Sequence, residues 1–332
     1  MALDFSRTLV VGVSASALFD LRSADAVFRD HGVRAYRQHM VATERDHLAP
    51  GTAFSLVRAL LSLNEAAPAG AAPLAEVVVL SRNSTETGVR VMNAVRAHGL
   101  PITRYAFTGG EPLAGYATAF GVDLFLSSSA EDVQRLVDAE ACAAAVLQSP
   151  PDGYQPAEGQ VRFAFDGDAV LFSDEAEILY KREGLHAFHA AEHARRDVPL
   201  GAGPFAAFLK KLARVKEGLP EGVEYAPIRL AVVTARNAPA EARVITTLRA
   251  WNVYVDEAFF LGGLPKGPVL SAFRPHIFFD DQDAHVVPAA AVVPTGRVLY
   301  RSDSPLHRGA PLAPDGGRVP LTRSPADDPA GG

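Results

Sequence analysis

The chain has 332 residues, 48% of them hydrophobic and 21% charged, and a formal net charge of −6. That composition allows a sizeable buried core, gives about two domains as a first expectation, and argues against a broadly nucleic-acid-binding surface. A single cysteine, Cys142, excludes an internal disulfide framework and a cysteine-based zinc cluster. No stretch approaches the ~18 consecutive apolar residues of a membrane span. The apolar patch at 9–13 is preceded by Asp4 and closed by Asp20, without the basic flank of a signal peptide. The expectation is a cytoplasmic protein that engages neither membrane nor nucleic acid.

In chain order, residues 9–13, 77–80, 123–126, 143–147, 162–165, 230–233 and 277–279 are short apolar runs bounded by polar or turn residues, the pattern of buried parallel strands. Segments 87–98 and 240–251 have helical spacing, with Val91 and Val95, then Val244 and Leu248, on one face. Strand and helix alternate, so the expected fold class is α/β with doubly wound parallel sheets, and ligands should gather at the carboxyl ends of the strands. Segment 173–227 is too long for a βα loop and reads as a helical cap over the site, with a helix start at the GAGPF of 201–205. Residues 301–332, rich in Pro, Gly, Asp and Arg, read as a flexible tail.

The chain repeats itself. Arg82-Asn83 matches Arg236-Asn237, Arg96-Ala97 matches Arg249-Ala250, Gly109-Gly110 matches Gly262-Gly263, and Ala119-Phe120 matches Ala272-Phe273. The first pair is offset by 154 (236 − 82) and the others by 153 (262 − 109), so one single-residue gap is needed. Upstream, Ser14 and Ser16 align with Asp166 and Asp168. The inserts HLAPGTAFSLVRALLSL (47–63) and PLGAGPFAAFLKKLARV (199–215) echo one another. Two tandem copies of one fold follow, at 1–150 and 156–300.

Strand ends of the second copy carry a set of chemical groups. Asp166 and Asp168 flank Gly167 just past one strand, Thr234 ends the next, Lys266 starts a helix, and Asp280-Asp281 ends another strand. A carboxylate nucleophile can accept a phosphoryl group, with lysine, hydroxyl and Mg²⁺ neutralising its oxygens. A second carboxylate two residues on can protonate the leaving alkoxide and then activate water.

Over 165–282 this set resembles the haloacid-dehalogenase-like phosphohydrolase superfamily, in which D-x-D, Thr or Ser, Lys and an acidic pair follow in that order. The resemblance implies Asp166 as nucleophile, Asp168 as general acid/base, and Thr234, Ala235 and Lys266 as phosphate-binding residues. It further implies an Mg²⁺ site drawn from Asp166, Asp168 through its backbone carbonyl, and Asp280 or Asp281. Arg236 and Asn237 are candidates for ordering the phosphate loop or binding substrate. The strings VSASALFDL, VVLSRNSTETGVRVMN, FTGGEPL, AFGVDLFLS, AFDGDAVLFSDEAE, GPFAAFLKKL, VVTARNAPAEARV and EAFFLGGLPKGPVL are similar to the cytosolic 5'-nucleotidase type I family across nearly the whole chain. That likeness implies Mg²⁺-dependent hydrolysis of nucleoside 5'-monophosphates such as AMP. A sugar phosphatase with the same mechanism, or a nucleotide-sensing protein, are the other readings. A homo-oligomer is compatible with a metabolic enzyme, but no sequence feature marks an interface.

Carried through the repeat, the motifs vanish from the first half: Asp166 becomes Ser14, Asp168 becomes Ser16, Thr234 becomes Leu80 with Ser81 next to it, Lys266 becomes Leu113, and Asp280-Asp281 becomes Ser127-Ser128. The first half is therefore expected to be catalytically dead. A structural brace is the preferred role, and a nucleotide effector site around Ser14, Ser16, Arg82 and Asn83 is the alternative. His186, His189 and His193 share a helix face and read as cap-lining rather than metal-binding, for want of a fourth ligand. Tyr180 and Phe188 suit either base stacking or cap packing. Cys142 reads as buried and inert, and Lys210-Lys211 as an exposed helix face.

Overall fold

The computed structural model describes residues 8–67, 72–148, 153–219 and 226–307. Ten strands are described: β1 (Leu9–Val13), β2 (Ala75–Ser81), β3 (Arg104–Phe107), β4 (Leu124–Ser127), β5 (Ala143–Leu147), β6 (Val161–Phe165), β7 (Ile228–Thr234), β8 (Glu257–Phe260), β9 (Ile277–Asp280) and β10 (Thr295–Val298). They form one sheet in the order β3-β2-β1-β4-β5-β10-β9-β6-β7-β8. Each half has the doubly wound order with its first strand central, and all pairs inside a half are parallel. The expected pair of sheets is thus a single sheet, because β5 and β10 join antiparallel, Gly296 opposite Leu147. At the other two edges β3 and β8 are half-buried. Each is tied to its neighbour by an ion pair of reversed sense, Arg104 to Glu76 and Arg229 to Glu257.

Helices α1 (Ala15–Leu18), α2 (Arg22–Ala42), α3 (Phe54–Ser62), α4 (Thr85–Ala97), α5 (Ala114–Ala119) and α6 (Ala130–Asp138) belong to the first half. Helices α7 (Glu175–Ala194), α8 (Ala206–Glu217), α9 (Glu241–Ala250), α10 (Gly267–Phe273) and α11 (Asp283–Ala290) belong to the second. Strand alternation sends Leu9, Val11 and Val13 into one core with α3, α4, α8 and α9, while Val10 faces α5 and α6. The second half repeats this, Phe163 and Phe165 into the shared core and Ala164 toward α10 and α11. Phe165, Phe205, Phe208 and Phe279 pack with ring centroids 4.7–6.5 Å apart. Each buried ring contributes about 2–3 kcal/mol, and two of them directly precede Asp166 and Asp280, so the strand ends that carry those carboxylates are held on a stiff floor.

The inserts differ from expectation in one respect. Of the segment read as a cap, α7 borders the second-half cavity, whereas α8 buries Phe208, Leu209 and Leu212 in the core and touches β1 of the other half. Helix α3 does the reciprocal thing, touching β6. Lys211 is accordingly no exposed residue: its ammonium lies 2.7 and 2.9 Å from the Asp123 carboxylate across the halves, and Lys210 sits over the Trp251 ring. Cys142 is half-buried rather than fully buried, and burial pushes its thiol up to about 12. Residues 301–307, the start of the expected tail, are anchored through Ser302 to Asp138 and Ser304 to Asp174; the rest of the tail lies outside the described residues.

Candidate active site

Four elements of the second half bring their ends together. Asp166 follows β6, Thr234 ends β7, Asp280 and Asp281 close β9, and Lys266 stands immediately before α10. The Lys266 ammonium lies 2.6 Å from Asp166 Oδ1 and 2.6 Å from Asp280 Oδ2. Carboxylate oxygens of Asp166, Asp280 and Asp281 lie within 4.8 Å of one another, all three residues buried. Burial, reinforced by the Asp280 charge, pushes Asp166 up to about 7 against the pull of Lys266. Burial and the charges of Asp166, Glu177 and Asp280 raise Asp281 well above the carboxylate range. Asp280 goes the other way, since hydrogen bonding to His285 and Lys266 outweighs its burial. Lys266 is itself raised, because the two carboxylates outweigh its desolvation.

This is too much buried negative charge for one lysine. Asp281 Oδ1 is buried and has no hydrogen-bond partner, while its other oxygen receives the Tyr300 hydroxyl. The donor set is all oxygen, which suits a hard divalent cation. A cation held there would satisfy the orphaned oxygen and return the raised carboxylates to their anionic form. The residues present therefore fit a metal, and both members of the Asp280-Asp281 pair belong to the cluster. The Asp168 side chain does not: it is turned to Arg236.

Arg236, a candidate for ordering the phosphate loop or binding substrate, lines the cavity with its guanidinium paired to carboxylates. Nε and Nη2 donate to the two Asp168 oxygens at 2.8 and 2.7 Å. Nη1 pairs with Glu192 of α7, and Glu192 accepts in turn from Arg243 Nη1 at 2.7 Å. The Arg236 side chain is 2% exposed and lies 5.3 Å from the Phe188 ring centroid. Both carboxylates raise its pKa despite burial. Glu192 and Arg243 were not found by sequence reasoning, nor were Glu177 and Tyr300. Tyr300 OH lies 3.3 Å from both Glu177 oxygens, and Lys181 Nζ 2.6 Å from one of them. The available signal was the repeat itself, which puts acidic Asp25 at the position of Glu177.

A cavity of about 410 Å³ opens over these groups, with Asp166, Asp168, Thr234 and Ala235 at its base and Tyr180 and Phe188 on its wall. Asn237 and His189 also line it. Gly262 and Gly263, at φ 59° and 87°, form its far lip in a conformation that side chains resist. In the first half a larger cavity, about 980 Å³, is lined by Ser14, Ser16, Arg82 and Asn83 among others.

The structure also corrects the alignment of the halves. Ser81 pairs with Phe107 as Thr234 pairs with Phe260. The amide of Asn83 faces Ser81 Oγ at 3.5 Å, as that of Arg236 faces Thr234 Oγ1 at 3.2 Å. Gly109 N donates to Asn83 O, and Gly262 N to Arg236 O. Thr234 therefore corresponds to Ser81, not Leu80, and Arg236 to Asn83, not Arg82. The offset is then 152 at Asp166 (166 − 14) and 153 at Thr234 (234 − 81), so the single-residue gap lies upstream of β2 and β7, and the shared Arg-Asn pair is a coincidence of sequence.

A family model described as 5'-nucleotidase matches residues 1–305. Cytosolic 5'-nucleotidase 1B of Homo sapiens is 36% identical over 285 residues, covering 84% of this chain and 46% of that protein. The chain thus spans about half the length of that relative. With the model match running through both halves, this chain belongs to the 5'-nucleotidase family.

Proposed function

We propose that the chain is an Mg²⁺-dependent phosphoric monoester hydrolase, cleaving nucleoside 5'-monophosphates of the AMP type to nucleoside and phosphate through an aspartyl-phosphate on Asp166. The observation that carries this reading is Lys266 set between Asp166 and Asp280 beside the orphaned oxygen of Asp281. The nucleotide substrate is taken from the family and from the relative's name.

The residues divide the work as follows. Asp166 Oδ attacks phosphorus, and the bond from phosphorus to the nucleoside 5'-oxygen breaks. Lys266, Thr234 Oγ1 and the amide of Ala235 receive the phosphoryl oxygens, whose charge spreads in the transition state. Asp168 donates a proton to the departing 5'-oxygen, then takes one from the water that attacks the aspartyl-phosphate and releases phosphate from Asp166. Arg236, donating to both Asp168 oxygens, fixes where that carboxyl group points. Asp166, Asp280, Asp281 and the Asp168 carbonyl would hold Mg²⁺, which when bound supplies charge neutralisation for the phosphoryl group. Tyr180 and Phe188 offer the base a ring surface at the cavity wall. Asn237 is proposed as a polar contact to substrate, and cytoplasm as the working compartment.

The test is phosphate release from a panel of nucleoside 5'-monophosphates and sugar phosphates, with Mg²⁺ and with EDTA. Mg²⁺-dependent release from nucleotides is expected. Release from sugar phosphates alone would retain the chemistry and discard the substrate class; no release from any of them would overturn the enzymatic reading and favour a sensing protein.

A further inference from the structure

The first-half cavity keeps one end of the second-half design and loses the other. At the kept end, Phe28 and Tyr36 stand where Tyr180 and Phe188 stand (180 − 28 = 152, 188 − 36 = 152). Both pairs are edge-on, with centroids 5.8 Å apart at 83° in the first half and 6.3 Å apart at 79° in the second. Both are carried by a helix broken at the equivalent glycine, Gly32 at φ 77° and Gly184 at φ 81°. The outer ring of each pair, Phe28 and Tyr180, is 50% exposed.

At the lost end the lysine and the carboxylate cluster have no counterpart, and Arg82, which lines that end, is already paired with Glu131 and Asp132. Leu113 replaces Lys266 and is buried. Ser14, Ser16, Ser127 and Ser128 replace the four aspartates, so among the described residues the carboxylate cluster of the second half has no counterpart here. Ser16 Oγ lies 2.5 Å from Ser128 Oγ and 3.4 Å from Ser14 Oγ, a floor of hydroxyls bonded to one another. The charged groups on the wall are paired away: Arg37 with Glu86, and Arg82 with Glu131 and Asp132. With Asp25 added, the lining carries two cations against four carboxylates. Arg90, buried nearby with Met40 Sδ as its hydrogen-bond acceptor, is not part of the lining. A phosphate dianion would meet hydroxyls and net negative charge. A neutral hydroxyl group would find donors and acceptors.

We propose that this cavity binds an uncharged nucleoside, its base against Phe28 and Tyr36 and its sugar hydroxyls toward the serine floor. The assignment of a base to the ring end rests on reading the second-half cavity as a nucleotide site. The volume of about 980 Å³ accommodates a ligand of that size. The site would sense the class of product that the second half releases, and by linkage any effect of nucleoside on substrate binding is matched by the reverse effect.

The experiment is calorimetric titration of the full chain in EDTA, where AMP binds without turnover, using adenosine, uridine and AMP as probes. Wild type is compared with Phe28→Ala and Tyr180→Ala, two truncations at half-exposed, equivalent positions, with melting curves as the folding check. The expected result is a nucleoside-binding event that Phe28→Ala weakens at least tenfold and Tyr180→Ala leaves within twofold, and for which AMP is at least tenfold weaker than adenosine. Nucleoside binding that disappears in Tyr180→Ala, or that Phe28→Ala leaves intact, would overturn it. So would AMP binding to the Tyr180→Ala chain more tightly than adenosine. The panel assay keeps the two readings apart. Turnover without first-half binding sinks this proposal alone, and first-half binding without turnover sinks the enzymatic reading alone.

Discussion

The same stretch of chain takes different shapes at the ends of β1 and β6. In the first half Ser14 Oγ accepts from Ala17 N at 3.2 Å and starts the one-turn helix α1. In the second half Asp166 makes no such cap, Asp168 is extended, and Ala169 sits at φ 59°, a left-handed conformation that costs an alanine energy. The Asp166 carboxylate is turned instead to Lys266. The turn after β1 uses ordinary helix-capping chemistry, while the turn after β6 holds local strain together with buried charges. Fold and site are therefore separable here: strand order, broken helix and aromatic pair are common to both halves, and only the charged groups and the loop shape mark where phosphate chemistry is proposed.

Substitutions that exchange the halves residue by residue test this contrast. The largest stability effect should come from Glu192, whose counterpart is Met40 (192 − 40 = 152). Glu192→Met leaves Arg236 and Arg243 without their shared carboxylate and should cost about 3–5 kcal/mol in urea unfolding. The reverse exchange, Met40→Glu, gives Arg90 a carboxylate acceptor in place of a thioether and should raise the melting temperature.

Next in size is Lys266→Leu, a copy of Leu113. Loss of the phosphate cation should lower kcat/KM by about 10²–10³-fold, measured as phosphate release from AMP at saturating Mg²⁺. In EDTA the same variant should melt lower than wild type, because Asp166 and Asp280 then face each other without a cation.

The smallest effect concerns pH. Val10 N donates to Asp123 Oδ2 at 2.8 Å, and Arg162 N faces His276 Nδ1 at 3.2 Å, so the halves use different titratable acceptors at one position. Burial, with the nearby arginines, lowers His276 from 6.5 to about 4. The unfolded chain therefore takes up a proton at this residue before the folded chain does. Its contribution to stability is complete above pH 6.5 and is lost as pH falls toward 4, by about 3 kcal/mol. His276→Asn keeps an acceptor without the titration and should flatten unfolding free energy against pH across that window.

Much of this was legible in the sequence because each motif residue sits at a strand end, where a short apolar run announces its position. Asp166, Thr234, Lys266 and Asp280-Asp281 could be placed on their elements from local pattern alone. The strands β3, β8 and β10 were missed because RYAF, EAFF and TGRV each include a charged residue and none is a continuous apolar run, the first two lying half-buried at sheet edges. The partners of Arg236 were not legible, because Asp168 and Glu192 lie 68 and 44 residues away and nothing local fixes how α7 lies over the strand ends. The matched Arg-Asn pairs misled the alignment by one residue, since identity of letters outweighed the strand register that later decided it. The docking of α8 across the halves was hidden for a similar reason, since an amphipathic helix shows which face it buries but not against what.

The central claim is that the second half carries out phosphoryl transfer on Asp166 and the first half does not. The most direct measurement is rapid acid quench during turnover of AMP with Mg²⁺, followed by mass spectrometry of the peptides for an acyl phosphate. The account predicts phosphate on the peptide containing Asp166, none on peptides containing Ser14 or Ser16, and loss of both the adduct and turnover in Asp166→Asn. Sustained hydrolysis by Asp166→Asn, or an adduct on a first-half peptide, would contradict it.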